Sequence, residues 1–151
     1  MIKRNKIIEV GQNLSYDVEN TVIVDLGEST LLPGLIDSHT HLFTEEKLHP
    51  DYTGFGETVV QNATNKSDAT RTLEAAYNAK SYLEAGFTTV IDLWNSGQYL
   101  DVDLRNAISK GYITGSRIFV SGPGIAAVGG QVNNYNSNLK DVVNKEYQII
   151  T

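Results

Sequence analysis

The rhythm of hydrophobic and polar positions changes near residue 32. Before it, two short runs rich in β-branched residues, Lys6 to Val10 and Thr21 to Leu26, each end at a glycine (Gly11, Gly27) and predict short strands. Leu31-Leu-Pro-Gly34 punctuates the chain, and Leu35 to Phe43 then reads as a mostly apolar strand. A polar stretch over 44–67, with Gly54 and Gly56, predicts a long loop, and loops of that length inside compact domains tend to be functional. From Ser67 onward helical and strand periods alternate. Ala69, Leu73, Ala76, Tyr77 and Leu83 recur at helical spacing, with Ser67 or Asp68 as N-cap and Gly86 as the stop. Phe87 to Leu93 predicts a strand; Leu100, Leu104, Ala107 and Ile108 predict a second helix stopped at Gly111. Ser116 to Ser121 predicts a further strand, ended by Gly122-Pro-Gly124. An Asn-rich loop (Asn133 to Asn138) and a stretch of undecided period, Val142 to Ile150, complete the chain.

Strands alternating with helices of about a dozen residues indicate βαβ units and a parallel sheet. The expected fold is therefore α/β, with a β segment over 1–31 preceding a βα region over 32–151. Composition narrows the function. Eighteen acidic against 12 basic residues give a net charge of −6, which argues against a nucleic-acid binder. No apolar run approaches the roughly 20 residues of a membrane span. The start, MIKRNKIIEV, lacks the apolar core of a secretory signal, so a cytoplasmic location is expected and the sequons at Asn13, Asn62 and Asn65 carry little weight. The absence of cysteine excludes disulfides, thiolate metal sites and a cysteine nucleophile.

The strongest chemical signal is Asp37-Ser-His39-Thr-His41. On a regular strand side chains alternate with period two, so Asp37, His39 and His41 are expected on one face. Two imidazoles at i and i+2 can form two corners of a divalent-metal site, with Zn–N bonds of about 2.0–2.1 Å. The bland reading is a surface coincidence. Against it, the pair ends an apolar run and meets a long loop, as at the C-terminal mouth of a parallel sheet, where sites on α/β folds concentrate.

Leu32-Pro-Gly-Leu-Ile-Asp-Ser-His-Thr-His41 resembles the signature on the first barrel strand of the metal-dependent amidohydrolase superfamily. Leu83 to Asp92 and Gly111 to Gly122 are similar to successive units of its imidazolonepropionase-like and prolidase-like branch, and Ile8 to Gly11 with Val22 to Leu26 to strands of the small β-sandwich before the barrel. The similarity runs in order over about 6–131. It implies a partial TIM-like barrel, its first three βα units, preceded by a small β-sandwich segment. It also implies hydrolysis of a C–N bond in an amide, dipeptide or cyclic amide, by water activated on one or two divalent metals, zinc foremost. His39 and His41 would be ligands of the first metal, with Asp37 supporting them. The remaining ligands of the family are a Lys from the fourth strand, His from the fifth and sixth, and Asp from the eighth.

A (β/α)₈ barrel takes about 250 residues, so the 120 residues from Leu32 to Thr151 hold at most about four units. Neither Lys110, Lys140 nor Lys145 stands in a strand-like context suited to the fourth-strand ligand. The chain thus reads as the N-terminal portion of such an enzyme, inactive alone and needing the remainder of the barrel or homo-oligomer contacts. The competing reading is a catalytically dead α/β module that binds a protein partner. Asp92 is a possible site residue at the second strand's end, or else a loop-ordering carboxylate. Gly122-Pro-Gly-Ile-Ala-Ala127 formally matches a dinucleotide-binding turn, but no helix is predicted to open there. The resembled branch often has Gly-Gly-His where this chain has Gly129-Gly130-Gln131. His49 reads as a solvated loop histidine, and Trp94 as a packing residue before a substrate-facing one.

Overall fold

In the computed structural model, residues 1–44, 63–95, 97–127 and the backbone of 147–150 are described. His49, Asn62, most of the 44–67 loop, Gly129 to Gln131, the Asn-rich loop, Lys140 and Lys145 lie outside the described residues. The chain divides into two compact units, Met1–Leu32 and Pro33–Thr151.

In the first unit β1 (Ile2–Lys3) and β2 (Lys6–Ile7) form an antiparallel ribbon, with Ile2 opposite Ile7. Arg4 (φ 49°) and Asn5 (φ 64°) join them, and positive φ at both central residues is what a tight right-twisted hairpin demands. The expected strand from Lys6 thus stops at Ile7, short of Val10. Thr21 to Leu26 forms no strand at all, correcting the second expectation. Val22, Ile23 and Val24 stay exposed, and a β-branched run becomes a strand only where a neighbour takes up its backbone groups and side chains. No β-sandwich is formed among the described residues of this unit.

The second unit carries a three-stranded parallel sheet in the order β3 (Leu35–Thr40), β4 (Phe87–Asp92), β5 (Arg117–Val120). Helix α1 (Asp68–Glu84) links the first pair and α2 (Leu100–Ser109) the second, as alternating periods require. Ser67 caps α1 by accepting from the Thr70 amide at 3.2 Å, as expected from its position. Gly86 (φ 95°) and Gly111 (φ 73°) follow the two helices in the left-handed conformation that ends a helix cheaply only at glycine.

The core gathers Leu42, Phe43, Ala75, Ala79, Val90, Leu104 and Ile118. Leu73 and Tyr77, two of the residues that recur at helical spacing, are each 72% exposed; the buried stripe is Arg71, Ala75 and Ala79. At Ala79 the helix lies too close to the chain for a larger side chain. Ser116 donates its amide to the Ala79 carbonyl at 3.2 Å, and a Cβ on Gly115 would sit 3.1 Å from that of Ala79.

One strand was not anticipated. Gly122-Pro-Gly124 leads into β6 (Gly124–Ala127), which pairs in parallel with β7 (Tyr147–Ile150). A strand where a dinucleotide turn requires a helix removes the nucleotide reading. The glycines have local causes instead: Gly122 has φ 70°, and a Cβ on Gly124 would fall within 1.2 Å of the Trp94 indole nitrogen. Among the described residues no helix is long and apolar enough to cross a membrane.

Candidate metal centre

Strand β3 ends at Thr40, one residue before His41 and three short of the expected end. Its register against β4 shifts between Asp37 and Thr40, where three residues of β3 span two of β4. Such a bulge interrupts period-two alternation, so the shared face expected for Asp37, His39 and His41 cannot be read from spacing alone. Asp37 Oδ1 instead accepts from the His39 amide at 3.0 Å and braces the backbone at the bulge.

The two imidazoles nevertheless converge. Their ring centroids are 5.1 Å apart, at 80° to each other. Rings joined to one tetrahedral ion through Zn–N bonds of about 2.0–2.1 Å would have centroids about 5 Å apart, so this spacing fits a shared cation. His41 Nδ1 lies 2.7 Å from the Leu93 carbonyl oxygen. A carbonyl can only accept, so Nδ1 carries the proton and Nε2 the lone pair, the orientation that metal-ligating histidines take from their outer hydrogen bond. The pair therefore suits a divalent ion, but two ligands fall short of the usual three or four. Among the described residues no group of three or more His, Asp or Glu side chains surrounds them.

Asp92 ends β4. It is 1% exposed and sits one strand period beyond the core residue Val90, on the face packed against the helices. Its Oδ1 accepts from the Leu42 amide at 2.7 Å, whereas Oδ2 is buried without a hydrogen-bond partner. Burial pushes its carboxyl up to about 7; the Leu42 amide opposes the rise and the Asp101 charge adds to it. These contacts are those of a loop-ordering carboxylate.

Beyond β4 the chain is tied to the end of β5. The Trp94 amide donates to Ser121 Oγ at 2.7 Å, the Asn95 amide to the Gly122 carbonyl at 3.0 Å, and the Gly122 amide to Asp101 Oδ2 at 2.8 Å. Trp94 (φ 54°) lays its indole on Gly124, a packing role. Lys110 stands 5.9 Å from the Tyr112 ring, at the end of α2 and not at a strand mouth. The contacts that spacing missed, Leu93 O and Leu42 N–H, are backbone groups, and no residue type announces them.

Residues 30–149 match the Amidohydrolase family. The chain belongs to that family. Among solved structures it is similar to an amidohydrolase, with a TM-score of 0.66 at 23% identity over 91% of this chain and 32% of that one. A prolidase complexed with N-methylphosphonate-L-proline gives 0.55 at 19% identity, over 86% and 32% of the two chains. A Xaa-Pro dipeptidase with bound methionine in its active site gives 0.53 at 24% identity, over 79% and 27%. At these identities the likeness shows the amidohydrolase fold, and this chain spans about a third of the length of each. No curated protein matches it.

Proposed function

We propose that this chain is the leading part of a divalent-metal-dependent hydrolase of C–N bonds, carrying the β segment and the first βα units of its barrel. The observation that supports this is the convergence of His39 and His41, with Leu93 fixing the His41 tautomer, within a chain of the amidohydrolase family. His39 and His41 hold the ion, zinc foremost, and Asp37 supports them by bracing the His39 amide. When bound, the ion supplies Lewis-acid activation of water and polarises the scissile carbonyl. Amides, dipeptides and cyclic amides are the substrate class, and dipeptides lead because a prolidase and a dipeptidase share the fold.

The 151 residues alone are expected to bind Zn²⁺ weakly and to show no turnover, since two imidazoles leave the ion under-coordinated. Calorimetry with Zn²⁺ tests the ligands: His39→Ala or His41→Ala should abolish binding, and binding that survives both changes rejects the assignment. Turnover of a dipeptide or lactam by the purified chain with Zn²⁺ or Co²⁺ would reject its inactivity. Hydrolysis by an assembly of this chain with the rest of a barrel, lost in either histidine variant, is the expected positive result. If such an assembly forms, binds no metal and hydrolyses nothing, the non-catalytic module is favoured instead.

A further inference from the structure

The pairing of β3 with β4 ends at Thr40 opposite Asp92, so His41 and Leu42 lie beyond the last ladder position. A residue just past a strand end has no sheet to fix its peptide planes, yet His41 is held on both sides. On its N-terminal side the Thr40 carbonyl accepts from the Leu93 amide at 2.9 Å, and Thr40 Oγ1 donates to the Ile91 carbonyl at 3.0 Å. On its C-terminal side the Leu42 amide donates to Asp92 Oδ1. Between these holds, the ring itself donates from Nδ1 to the Leu93 carbonyl. Three consecutive residues of one strand end thus grip three consecutive residues of the other.

The C-terminal hold is the one written in a side chain where the ladder has stopped. Leu42 is 1% exposed, so its amide has no water to turn to if the carboxyl is removed. A buried donor left without an acceptor costs about 1–3 kcal/mol, a cost that a turn of the peptide toward another acceptor would relieve. The peptide in question joins His41 to Leu42. Without that hold ψ at His41 is no longer fixed, and a change in ψ that is not offset at Leu42 would move the imidazole off the Leu93 carbonyl and open the other tautomer to it.

We propose that Asp92 is a positioning residue for His41: by holding the Leu42 amide it keeps the imidazole on the Leu93 carbonyl, with Nε2 as the nitrogen presented to a metal. The inference rests on the metal-ligand reading of His41 and adds the side chain that enforces it. Asp92 touches neither ion nor substrate in this role. Its influence passes through one peptide plane.

The test uses the full chain, free of metal, with ¹⁵N-labelled histidine. In the wild type His41 should show the Nδ1–H tautomer and the Leu42 amide should resist hydrogen exchange. Asp92→Asn retains the Oδ1 acceptor and should keep both signatures. Asp92→Ala should give mixed tautomers, an unprotected Leu42 amide and a ten- to hundredfold loss of affinity for Zn²⁺ alone, the range typical of losing an outer partner of a ligating histidine. Leu104→Ala is the control, since it destabilises the core while removing none of the clasp's hydrogen-bonding groups. The proposal is overturned if Asp92→Ala leaves tautomer and affinity unchanged, or if Leu104→Ala shifts them equally. Should Asp92→Ala not fold, Asp92→Asn decides: loss of the tautomer despite a retained acceptor overturns the claim, and its retention supports it. Failure of the wild type to bind Zn²⁺ would reject the ligand reading while the tautomer measurement still judges the clasp.

Discussion

At the scale of single residues, Asp92 has the clearest energetic consequence. Its carboxyl ionises near 3.8 in an unfolded chain and is raised to about 7 in the folded one, chiefly by burial. Between those values the folded state holds a proton that the unfolded state has released, so stability falls as pH rises. The stability is fully present below the lower value, is lost through about 7, and levels off above it. A shift of that size corresponds to about 4 kcal/mol. Urea melts of the wild type across this range should show the decline, and Asp92→Asn, which keeps the Oδ1 acceptor without the charge, should flatten it. A wild-type profile that rises over the same range would contradict the burial argument. The same residue shows where spacing stops being informative. Asp92 stands on the face of Val90 by alternation, as the sequence allows, but whether that face meets solvent or helices depends on which elements cover it. Likewise the His-x-His spacing names two imidazoles, whereas their convergence arises around a bulge between Asp37 and Thr40 that no residue type signals.

At the scale of elements, helices were legible at their ends and not on their faces. Ser67, Gly86 and Gly111 mark boundaries because capping is local chemistry: one hydroxyl meets one amide, and one glycine takes one positive φ. The inner face of α1 is not local. Large apolar residues at 73 and 77 invite burial, yet Ala75 and Ala79 take the core, with Gly115 and Ser116 packed too close on Ala79 for a larger side chain, and Leu73 and Tyr77 face outward. This assignment separates two substitutions. Leu73→Ser should change stability by no more than about 0.5 kcal/mol, as surface changes do. Ala79→Leu should cost about 1–3 kcal/mol by forcing the helix off its neighbour. Thermal melts of the two variants check the order; a reversal would mean that α1 packs on the face its hydrophobic residues suggest.

At the scale of the whole molecule, the two units differ in what holds them. None of residues 1–32 is buried, and among the described residues the core cluster runs from Leu42 to Ile118. The first unit is a ribbon of two short strands followed by chain without paired strands, and a two-stranded ribbon is marginal in water by itself. The parallel sheet was legible because each strand–helix repeat states its own period, while the β-branched runs of 1–32 promised strands whose partners sequence could not supply. Burial of apolar surface is the dominant stabilising force, so a unit without buried residues contributes little to cooperative melting. A variant lacking residues 1–32 should therefore keep the far-UV circular dichroism of α1 and α2, with a Tm within about 4 °C of the full chain, the shift expected for roughly 1 kcal/mol in a domain of this size. Limited proteolysis of the full chain should cut among residues 8–32 before it cuts α1 or α2, because exposed backbone outside paired strands is what a protease engages. If instead the truncated variant loses its helical signal, the core of 33–151 does not carry its own stability, and the stabilising contribution must come from the residues removed.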